Sequence, residues 1–325
     1  MASILNAFDS EALQLAAKTI RQGGLVAFPT ETVYGLGADA RNPMAVARIF
    51  EVKRRPSIDP LIVHVASAEE AEKYGRLEHK NAHLLMRQFW PGPLTLVVPK
   101  RELVPQIVTA GLATVALRMP AHETALALIR RAGTAIAAPS ANPFGYVSPT
   151  DAGHVSREMS QQIDIILDGG KCSVGVESTI ISLIGSKPVL LRPGGTPVEE
   201  LEKVLGEVQR FEALPERPEA PGQLKRHYAT RTRLEVFSGV EHELSIRLGE
   251  KIGVLSLEPL ADPGRYAAVE VLSSSGNLRE AAANLFAALR RLDELDLDRI
   301  VALPVPEIGL GIAIMDRLTR CSAPE

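Results

Sequence analysis

Short apolar runs of β-type composition alternate with amphipathic helical patterns over about the first two hundred residues. The apolar runs predict strands at 25–28, 61–65, 94–98, 114–118, 134–138, 178–183 and 189–192. Apolar residues spaced three and four positions apart predict helices at 9–22, 43–53, 67–74, 80–89, 122–131 and 196–205. Strands that alternate with helices are typical of an α/β domain.

This alternation stops after 206, where three prolines fall between 215 and 221. Proline fixes φ and removes a backbone donor, so neither a helix nor a central strand can pass through them. Beyond them the pattern predicts strands at 233–237, 251–257, 267–272 and 299–305 and helices at 277–292 and 310–320. The sequence therefore predicts a first domain, a linker and a smaller α/β domain, over 1–206, 207–231 and 232–325 respectively.

Composition and charge exclude several classes of protein. The 325 residues are 46% hydrophobic and 23% charged, so the chain can bury a sizeable core and is neither disordered nor fibrous. Its net charge of -3 offers no overall attraction for nucleic acid or anionic lipid, so any phosphate site must be local.

Cysteine usage and the absence of targeting signals indicate a cytoplasmic protein. Cys172 and Cys321 form no close pair in the sequence, so we expect neither a disulfide framework nor a cysteine-rich zinc site. We find no signal peptide and no apolar run of the roughly 18 residues that a membrane span needs, so no membrane association is expected.

A glycine-rich string at 28–40 is the first candidate for nucleotide binding. Gly35, Gly37 and Ala40 follow the order of a dinucleotide-binding turn, with Asp59 about 20 positions downstream. Such a turn should follow its strand directly, whereas PTETVY intervenes here, so a glycine-rich loop without a ligand is the alternative. The string G-x-x-x-x-G-K-[ST] does not occur, so a bound nucleotide would use neither standard loop.

The string KRRPSIDPLIVHV at 53–65 has two interpretations. Lys53, Arg54 and Arg55 end a predicted helix, where cations are favoured by the helix dipole and lie in solvent. Alternatively, Lys53 and Arg55 form a polyphosphate clamp. Strand alternation places His64 on the same face as Ile62, where a hydrogen-bonded core histidine is the plainest interpretation.

Several polar side chains are predicted at strand ends, where α/β sheets gather ligand contacts. Arg118 ends an apolar strand, and a buried guanidinium needs an anion, which could be a ligand or an internal acid. Further strand ends carry short hydroxyl and amide side chains or an arginine, namely Ser140, Asn142, Ser178, Thr179 and Arg192. This set suits the binding of phosphate and carboxylate groups, with little covalent chemistry by the protein.

Taken in order, the strings PTETVYGLG, K-x-R-P, PLIVHV, WPGPLT, TVALRMP, APSAN, GVESTI, LLRPG and KRHYA resemble the YrdC-like family of threonylcarbamoyl-AMP synthases. The resemblance covers most of 12–230, and GLGIAIMDRLTR at 309–320 resembles the second domain of the longer members. It implies a YrdC-like twisted mixed sheet with helices, joined to a smaller Rossmann-like domain. It also implies synthesis of L-threonylcarbamoyl-adenylate from L-threonine, bicarbonate and ATP, with release of pyrophosphate.

The resemblance also implies roles for single residues. The threonine-binding set would be Thr32, His64, Arg118, Ala138 and Ser178. The ATP-binding set would be Lys53, Arg55, Asp59, Thr114, Ser140, Asn142, Ser148, Arg192 and Tyr228. Lys53 and Arg55 would also be catalytic, by neutralising charge that develops on the phosphates. Asp59 stands where the family often has asparagine, and its charge should weaken ATP binding unless it faces magnesium or a neighbouring arginine.

Magnesium is expected to arrive with ATP, and the sequence offers no clear protein ligands for it. The product would supply a downstream tRNA threonylcarbamoyl transferase for modification beside the anticodon. Two alternatives compete with this function. An RNA-binding module would need a basic strip, which Arg41, Arg48, Lys53, Arg54 and Arg55 would supply, but the net charge argues against direct tRNA binding as the main role. A hydrogenase-maturation domain would need zinc-finger segments, for which there are too few cysteines.

The linker contains a cluster, KRHYAT at 225–230, that a passive spacer does not need. If the linker folded back over a bound nucleotide, Lys225 or Arg226 would contact phosphates and Tyr228 would stack or donate a hydrogen bond. The sequence therefore predicts a lid that excludes water from a hydrolysable mixed anhydride.

Overall fold

The computed structural model describes residues 1–210, 218–239 and 244–324. Within these residues two sheets form, each with helices packed against it. The larger sheet takes its strands from between Ser3 and Arg210, and the smaller takes its strands from between Leu234 and Ala302. The predicted α/β class with a mixed sheet is therefore confirmed. The linker predicted over 207–231 lies partly outside the described residues.

The larger sheet has eleven strands in the described part of the chain. They are β1 (Ser3–Asn6), β2 (Val26–Phe28), β3 (Gly35–Asp39), β4 (Ile62–His64), β5 (Leu94–Pro99), β6 (Thr114–Arg118), β7 (Ile136–Ala137), β8 (Ile165–Asp168), β9 (Thr179–Ser182), β10 (Val189–Arg192) and β11 (Gln209–Arg210). Their spatial order is β1-β8-β2-β3-β7-β4-β6-β5-β9-β10-β11. Parallel pairs, such as β4 with β6, and antiparallel pairs, such as β5 with β6, occur in the same sheet.

Both faces of this sheet are buried, because helices cover them. Along β2, Ala27 packs into one apolar cluster with Leu25, whereas Val26 and Phe28 pack into another. The covering helices are α1 (Ser10–Arg21), α2 (Pro43–Lys53), α3 (Ala68–Ala71), α4 (Ala82–Phe89), α5 (Glu123–Ala132), α6 (Ala152–Met159) and α7 (Val198–Leu205). Burial on two faces explains why the strands are continuous apolar runs in the sequence.

Helix α2 shows how local sequence fixes the position of the cations that follow it. The Asn42 side chain accepts hydrogen bonds from the backbone N–H groups of Met44 and Ala45, and Pro43 occupies the first turn. The helix ends at Arg54, whose φ of 51° lies in the left-handed region. This geometry turns the chain so that Lys53 and Arg55 are both buried.

The smaller sheet consists of four parallel strands in the described residues, in the order β12-β15-β13-β14. These strands are β12 (Leu234–Val236), β13 (Ile252–Ser256), β14 (Ala268–Val271) and β15 (Arg299–Ala302). Two helices, α8 (Leu278–Asp293) and α9 (Leu310–Ser322), pack on the sheet, and a 3-10 helix covers Pro263–Arg265. The core of this domain extends into the first domain, since Val33, Val147 and Val176 share one buried cluster with Phe286 and Leu289.

Neither interpretation of the glycine-rich string holds, because Gly35 and Gly37 lie within strand β3, which pairs antiparallel with β2. A Cβ at Gly37 would lie 2.7 Å from Ile136 and 2.8 Å from the Phe28 ring. Glycine is needed at these positions because core side chains, and not a phosphate, occupy the space beside them. No helix in the described ranges is long and apolar enough to cross a membrane.

Candidate active site

A small, largely enclosed cavity of about 50 Å³ lies where the ends of β4, β6, β7 and β9 meet the linker. The register of the parallel pair β4 and β6 sets His64 directly beside Arg118. All five residues of the predicted threonine-binding set line this cavity, namely Thr32, His64, Arg118, Ala138 and Ser178. Four residues of the predicted ATP-binding set line it too, namely Arg55, Ser140, Arg192 and Tyr228.

Arg118 supplies the positive charge on one side of the cavity. Its Nη2 lies 2.7 Å from Oε1 of Glu31, and both side chains are buried. Its Nη1 donates to Oγ1 of Thr32 at 3.0 Å, and its Nε donates to the carbonyl of Gly92 at 3.3 Å. Glu31 is thus an internal acid for Arg118, which is one of the two partners that the sequence left open.

His64 shares this side of the cavity with Ile62, as strand alternation predicted. Burial lowers the pKa of His64 to about 3, and the charge of Arg118 adds to the effect. The imidazole is therefore neutral at physiological pH. Its Nδ1 is buried and has no hydrogen-bond partner among the described residues, so it can serve a polar ligand in the cavity.

Lys53 and Arg192 are buried cations whose hydrogen bonds go to neutral oxygens. Nζ of Lys53 donates to the carbonyl of Ser140 at 2.7 Å and to the carbonyl of Asn142. Nη2 of Arg192 donates to the carbonyl of Ser178 at 2.8 Å, and its Nη1 donates to the carbonyl of Pro221 at 3.0 Å. Burial, together with the charge of Arg55, lowers the pKa of Lys53 well below its usual range. A buried cation of this kind is stabilised by an anionic ligand.

Arg55 differs from these two cations, because Asp59 faces it. Nη2 of Arg55 lies 2.9 Å from Oδ2 of Asp59, and both side chains are buried. Arg55 also donates to the carbonyls of Asp59 and Pro60. The unusual acid at position 59 therefore faces a neighbouring arginine, which is one of the two arrangements that the sequence allowed.

The linker forms one wall of the cavity through Pro221, Gly222, His227 and Tyr228. Tyr228 has a φ of 63°, a left-handed conformation that is uncommon for a bulky residue. Its ring stacks on Phe286 of the second domain with 5.6 Å between centroids. Lys225 is exposed and lines a separate cavity beside α9, so a phosphate contact from Lys225 or Arg226 stays a prediction.

Five residues of the predicted ATP-binding set do not line the cavity. Lys53 and Ser148 lie behind its wall, hydrogen-bonded to the lining residues Ser140 and Glu177 respectively, and the Asn142 side chain donates to the carbonyl of Tyr146. Asp59 is held by Arg55. Thr114 lies at the opposite end of β6 from Arg118, so strand geometry places it about 13 Å away.

The basic strip that an RNA-binding module would need is not formed by the described residues. Lys53 and Arg55 are buried, while Arg41 pairs with Asp39 and Arg48 pairs with Asp164. Burial of two of the five cations leaves no continuous basic surface along this stretch.

Two acids that line or border the cavity had no role in the sequence analysis. Glu31 lies inside the PTETVY string, and Glu177 lies inside VESTI. The signal that could have identified Glu31 is the buried arginine at a strand end, Arg118, because it needs an anion beside it. No local signal marks Glu177, because its partner Arg317 is 140 positions away, at 2.8 Å between Nε and Oε2.

Two turns at the cavity are in direct backbone contact at Gly194. A Cβ at this position would overlap backbone atoms of Glu177, Ser178 and Thr179. Since no side chain fits there, the turn that follows Arg192 packs directly on the turn that carries Ser178.

The carboxylates near the cavity do not form a magnesium site. Glu31, Asp59 and Glu177 each face an arginine, at 2.7, 2.9 and 2.8 Å respectively. Among the described residues no group of three or more His, Cys, Asp or Glu side chains is placed to hold a metal ion. A magnesium ion at this site would therefore depend on the phosphates of its nucleotide for ligands, and its presence stays a prediction.

Comparison with known proteins gives matches over both domains. Residues 18–194 match the family model Sua5_yciO_yrdC, described as "Telomere recombination". Residues 196–323 match the family model Sua5_C, described as "Threonylcarbamoyl-AMP synthase, C-terminal domain". The two matches together span most of the chain.

Individual relatives are similar over nearly their whole length. The threonylcarbamoyl-AMP synthase of Pyrococcus abyssi (strain GE5 / Orsay) is 47% identical over 95% of this chain and 94% of the relative. That of Bacillus subtilis (strain 168) is 44% identical over 94% of this chain and 92% of the relative. The crystal structure of P. abyssi Sua5 complexed with L-threonine superposes with a TM-score of 0.91 at 44% identity, covering 99% of this chain and 97% of that one.

Proposed function

The chain belongs to the Sua5–YciO–YrdC family in its two-domain form, and on that premise we infer that it synthesises L-threonylcarbamoyl-adenylate. It is an enzyme, a threonylcarbamoyl-AMP synthase, with L-threonine and ATP as substrates. The resemblance of the nine sequence strings to this family is confirmed by the near-full-length relatives.

The observation that supports this function best is the presence of several buried cations in the wall of one cavity and directly behind it. Arg118, neutral His64 and Arg192 line this cavity, and Lys53 lies directly behind its wall, bonded to the carbonyl of Ser140. An amino acid carboxylate suits a guanidinium, and a triphosphate suits a lysine and an arginine that are bonded only to neutral oxygens. The site thus offers separate anchors for the two anionic substrates.

The reaction needs no nucleophile from the protein. Bicarbonate takes up a proton and loses water to give carbon dioxide, which adds to the amine of threonine to give a carbamate and release a proton. A carbamate oxygen then attacks the α-phosphorus of ATP, a P–O bond forms, and the bond to pyrophosphate breaks. Catalysis comes from holding two anions together and from neutralising the charge that develops on the phosphates, which Lys53 and Arg192 are placed to do.

The product contains a mixed anhydride between a carbamate and a phosphate, which water hydrolyses. A wall built from the linker residues His227 and Tyr228 keeps the cavity enclosed. Exclusion of water preserves the product until the linker opens. We propose that the released adenylate passes to a tRNA threonylcarbamoyl transferase, whose acceptor is an adenosine beside the anticodon.

A direct experiment is to incubate the protein with ATP, bicarbonate and ¹⁴C-labelled threonine and to separate the products by chromatography. We expect a labelled adenylate and one pyrophosphate for each adenylate formed. Omission of bicarbonate should abolish both products. Formation of pyrophosphate without any labelled adenylate would contradict the proposal.

The alternative of an RNA-binding module is not favoured, because the basic strip on which it depends is partly buried. The salt dependence of RNA binding tests this alternative, because an affinity that depends on phosphate contacts falls steeply as the salt concentration rises. RNA affinity that falls steeply between about 50 and 200 mM salt, without adenylate synthesis, would support it.

A further inference from the structure

The second domain holds the segment that carries Ser148 through side chains of α8. Nη2 of Arg290 donates to the carbonyl of Val147, and its Nη1 lies 2.5 Å from Oε1 of Glu158. The hydroxyl of Tyr146 donates to Oδ2 of Asp293 at 2.6 Å. The segment of the first domain that leads into Ser148 is therefore fixed from outside that domain.

A second contact between the domains reaches the wall of the cavity itself. Arg317 on α9 is fully buried, and its Nε donates to Oε2 of Glu177 at 2.8 Å. The other carboxylate oxygen of Glu177 accepts a hydrogen bond from the hydroxyl of Ser148 at 2.5 Å. Arg317 thus reaches the cavity wall through the carboxylate of Glu177, which also accepts from the Ser148 hydroxyl behind that wall.

Arg317 also contacts the linker. Its guanidinium carbon lies 4.9 Å from the centroid of the Tyr228 ring, in a cation–π arrangement. Its Nη1 donates to Oδ2 of Asp316 at 2.5 Å. One side chain of the second domain therefore touches both the linker and the acid that lines the cavity.

The charges of Glu177 and Arg192 act on each other. Both side chains line the same cavity, and Arg192 donates to the carbonyl of Ser178, the residue next to Glu177. A carboxylate without Arg317 would attract the Arg192 guanidinium and repel a triphosphate. A carboxylate held by Arg317 leaves Arg192 available to phosphate oxygens.

We propose that Arg317 is a positioning residue for the nucleotide. It neutralises Glu177, keeps that acid bonded to Ser148, and so keeps Arg192 available for the phosphates of ATP. The second domain then has a defined task in the reaction, which is to supply one buried charge behind the nucleotide wall. This inference rests on the proposed function in that ATP is the ligand.

The test compares Arg317→Gln, Arg317→Lys and the double variant Arg317→Gln with Glu177→Gln. ATP and threonine affinities are measured separately by calorimetry, and folding is checked by circular dichroism and thermal unfolding. We expect Arg317→Gln to weaken ATP binding about tenfold, or about 1.4 kcal/mol, with threonine binding within about twofold of the wild type. Removal of the acid in the double variant should restore most of the ATP affinity, and Arg317→Lys should retain it.

The matched control is Arg279→Gln, which removes another contact between the domains. Arg279 pairs with Glu200 at 3.7 Å in an exposed position, away from Glu177. We expect both affinities to be unchanged in this variant. If Arg317→Gln does not fold, the single variant Glu177→Gln is compared with the double variant and with Arg317→Lys. The proposal then predicts that Glu177→Gln and the double variant bind ATP equally, and unequal affinities would contradict it.

Three results would overturn the proposal: unchanged ATP affinity in Arg317→Gln, an equal loss for threonine and ATP, or a double variant that binds ATP no better than Arg317→Gln. Binding of ATP is read without turnover, so these results are distinct from a failure of the proposed function. A wild-type protein that binds ATP and makes no labelled adenylate would contradict the proposed function while leaving this test intact.

Discussion

Nη2 of Arg55 and Oδ2 of Asp59 lie 2.9 Å apart, and both side chains are buried. Arg55 lines the cavity, and the carboxylate of Asp59 already neutralises its charge. Burial raises the pKa of Asp59, while the charges of Arg55 and Lys53 act against that rise. If Arg55 binds phosphate as predicted, Asp59 competes with that phosphate for the guanidinium.

We expect Asp59→Asn to strengthen ATP binding about fivefold, because the freed guanidinium gains charge-assisted hydrogen bonds to phosphate. The same change should lower the free energy of unfolding, since it removes one partner of a buried ion pair. Calorimetry with ATP and urea unfolding measure the two effects. Weaker ATP binding would show that Asp59 supports the nucleotide rather than competing with it.

Arg118→Ala should weaken threonine binding by about 2–5 kcal/mol, the range for removing one partner of a buried charge pair. It should also destabilise the fold by about 3–5 kcal/mol, because Glu31 is left buried and unpaired. The double variant with Glu31→Gln separates the two effects. Its stability should recover while its threonine affinity, measured by calorimetry, stays low; recovery of both would exclude a role for Arg118 in binding.

Lys53→Met should raise the KM for ATP by about tenfold and leave the KM for threonine within about twofold. The lysine donates to the carbonyls of Ser140 and Asn142, and we expect its charge to act on the phosphates of ATP. Steady-state release of pyrophosphate measures both constants. Lys18→Met, on the exposed surface of α1, is the control. A rise in the threonine constant alone would contradict the assignment of Lys53 to ATP.

The lowered pKa of His64 predicts that the free energy of unfolding depends on pH. Its pKa is about 3 in the folded protein, so the unfolded chain binds one more proton between about pH 6.5 and 3. Stability is therefore lost as the pH falls, by about 1.4 kcal/mol per pH unit from this group. His64→Gln should reduce the slope by this amount in urea unfolding at about pH 6, 5 and 4, with the exposed His83→Gln as control. An unchanged slope would mean that His64 is charged in the fold.

The linker should respond to substrates. Because linker residues form one wall of the cavity, we expect the linker to change its position when ATP and threonine bind. ATP with threonine should then slow cleavage by trypsin after Lys225 and Arg226. Gly222→Ala should speed it, because Gly222 has a φ of 82° and a Cβ there would lie 2.7 Å from the Tyr228 hydroxyl. Equal cleavage with and without ligands would make the linker a spacer.

Local sequence predicts the elements that position the site with good accuracy. The bounds of α2, β6 and β10 follow from apolar periodicity and from the caps and prolines around them. The residues of the threonine side follow from the family resemblance, and the fold brings all five to one cavity. Because the ends of neighbouring parallel strands lie together, the predicted strands bring residues such as His64 and Arg118 close in space although they are far apart in the chain.

What the sequence could not predict depends on pairings across the chain. The glycine-rich string at 28–40 does not indicate strand β3, because the need for its glycines comes from side chains such as Phe28 and Ile136 that pack against them. Thr114 belongs to the predicted ATP-binding set although it lies at the far end of its strand from Arg118. The partner of Glu177 lies in another domain, and no spacing rule connects positions 140 residues apart.

The backbone contact at Gly194 limits which substitutions this enzyme can accept near its cavity. Arg192 and Ser178 sit on turns that touch without any side chain between them, so one cannot shift without the other. In a library of variants at position 194, glycine alone should survive selection for activity. Shape changes that alter substrate preference must then come from the linker side of the cavity, whose geometry can vary without separating these two turns.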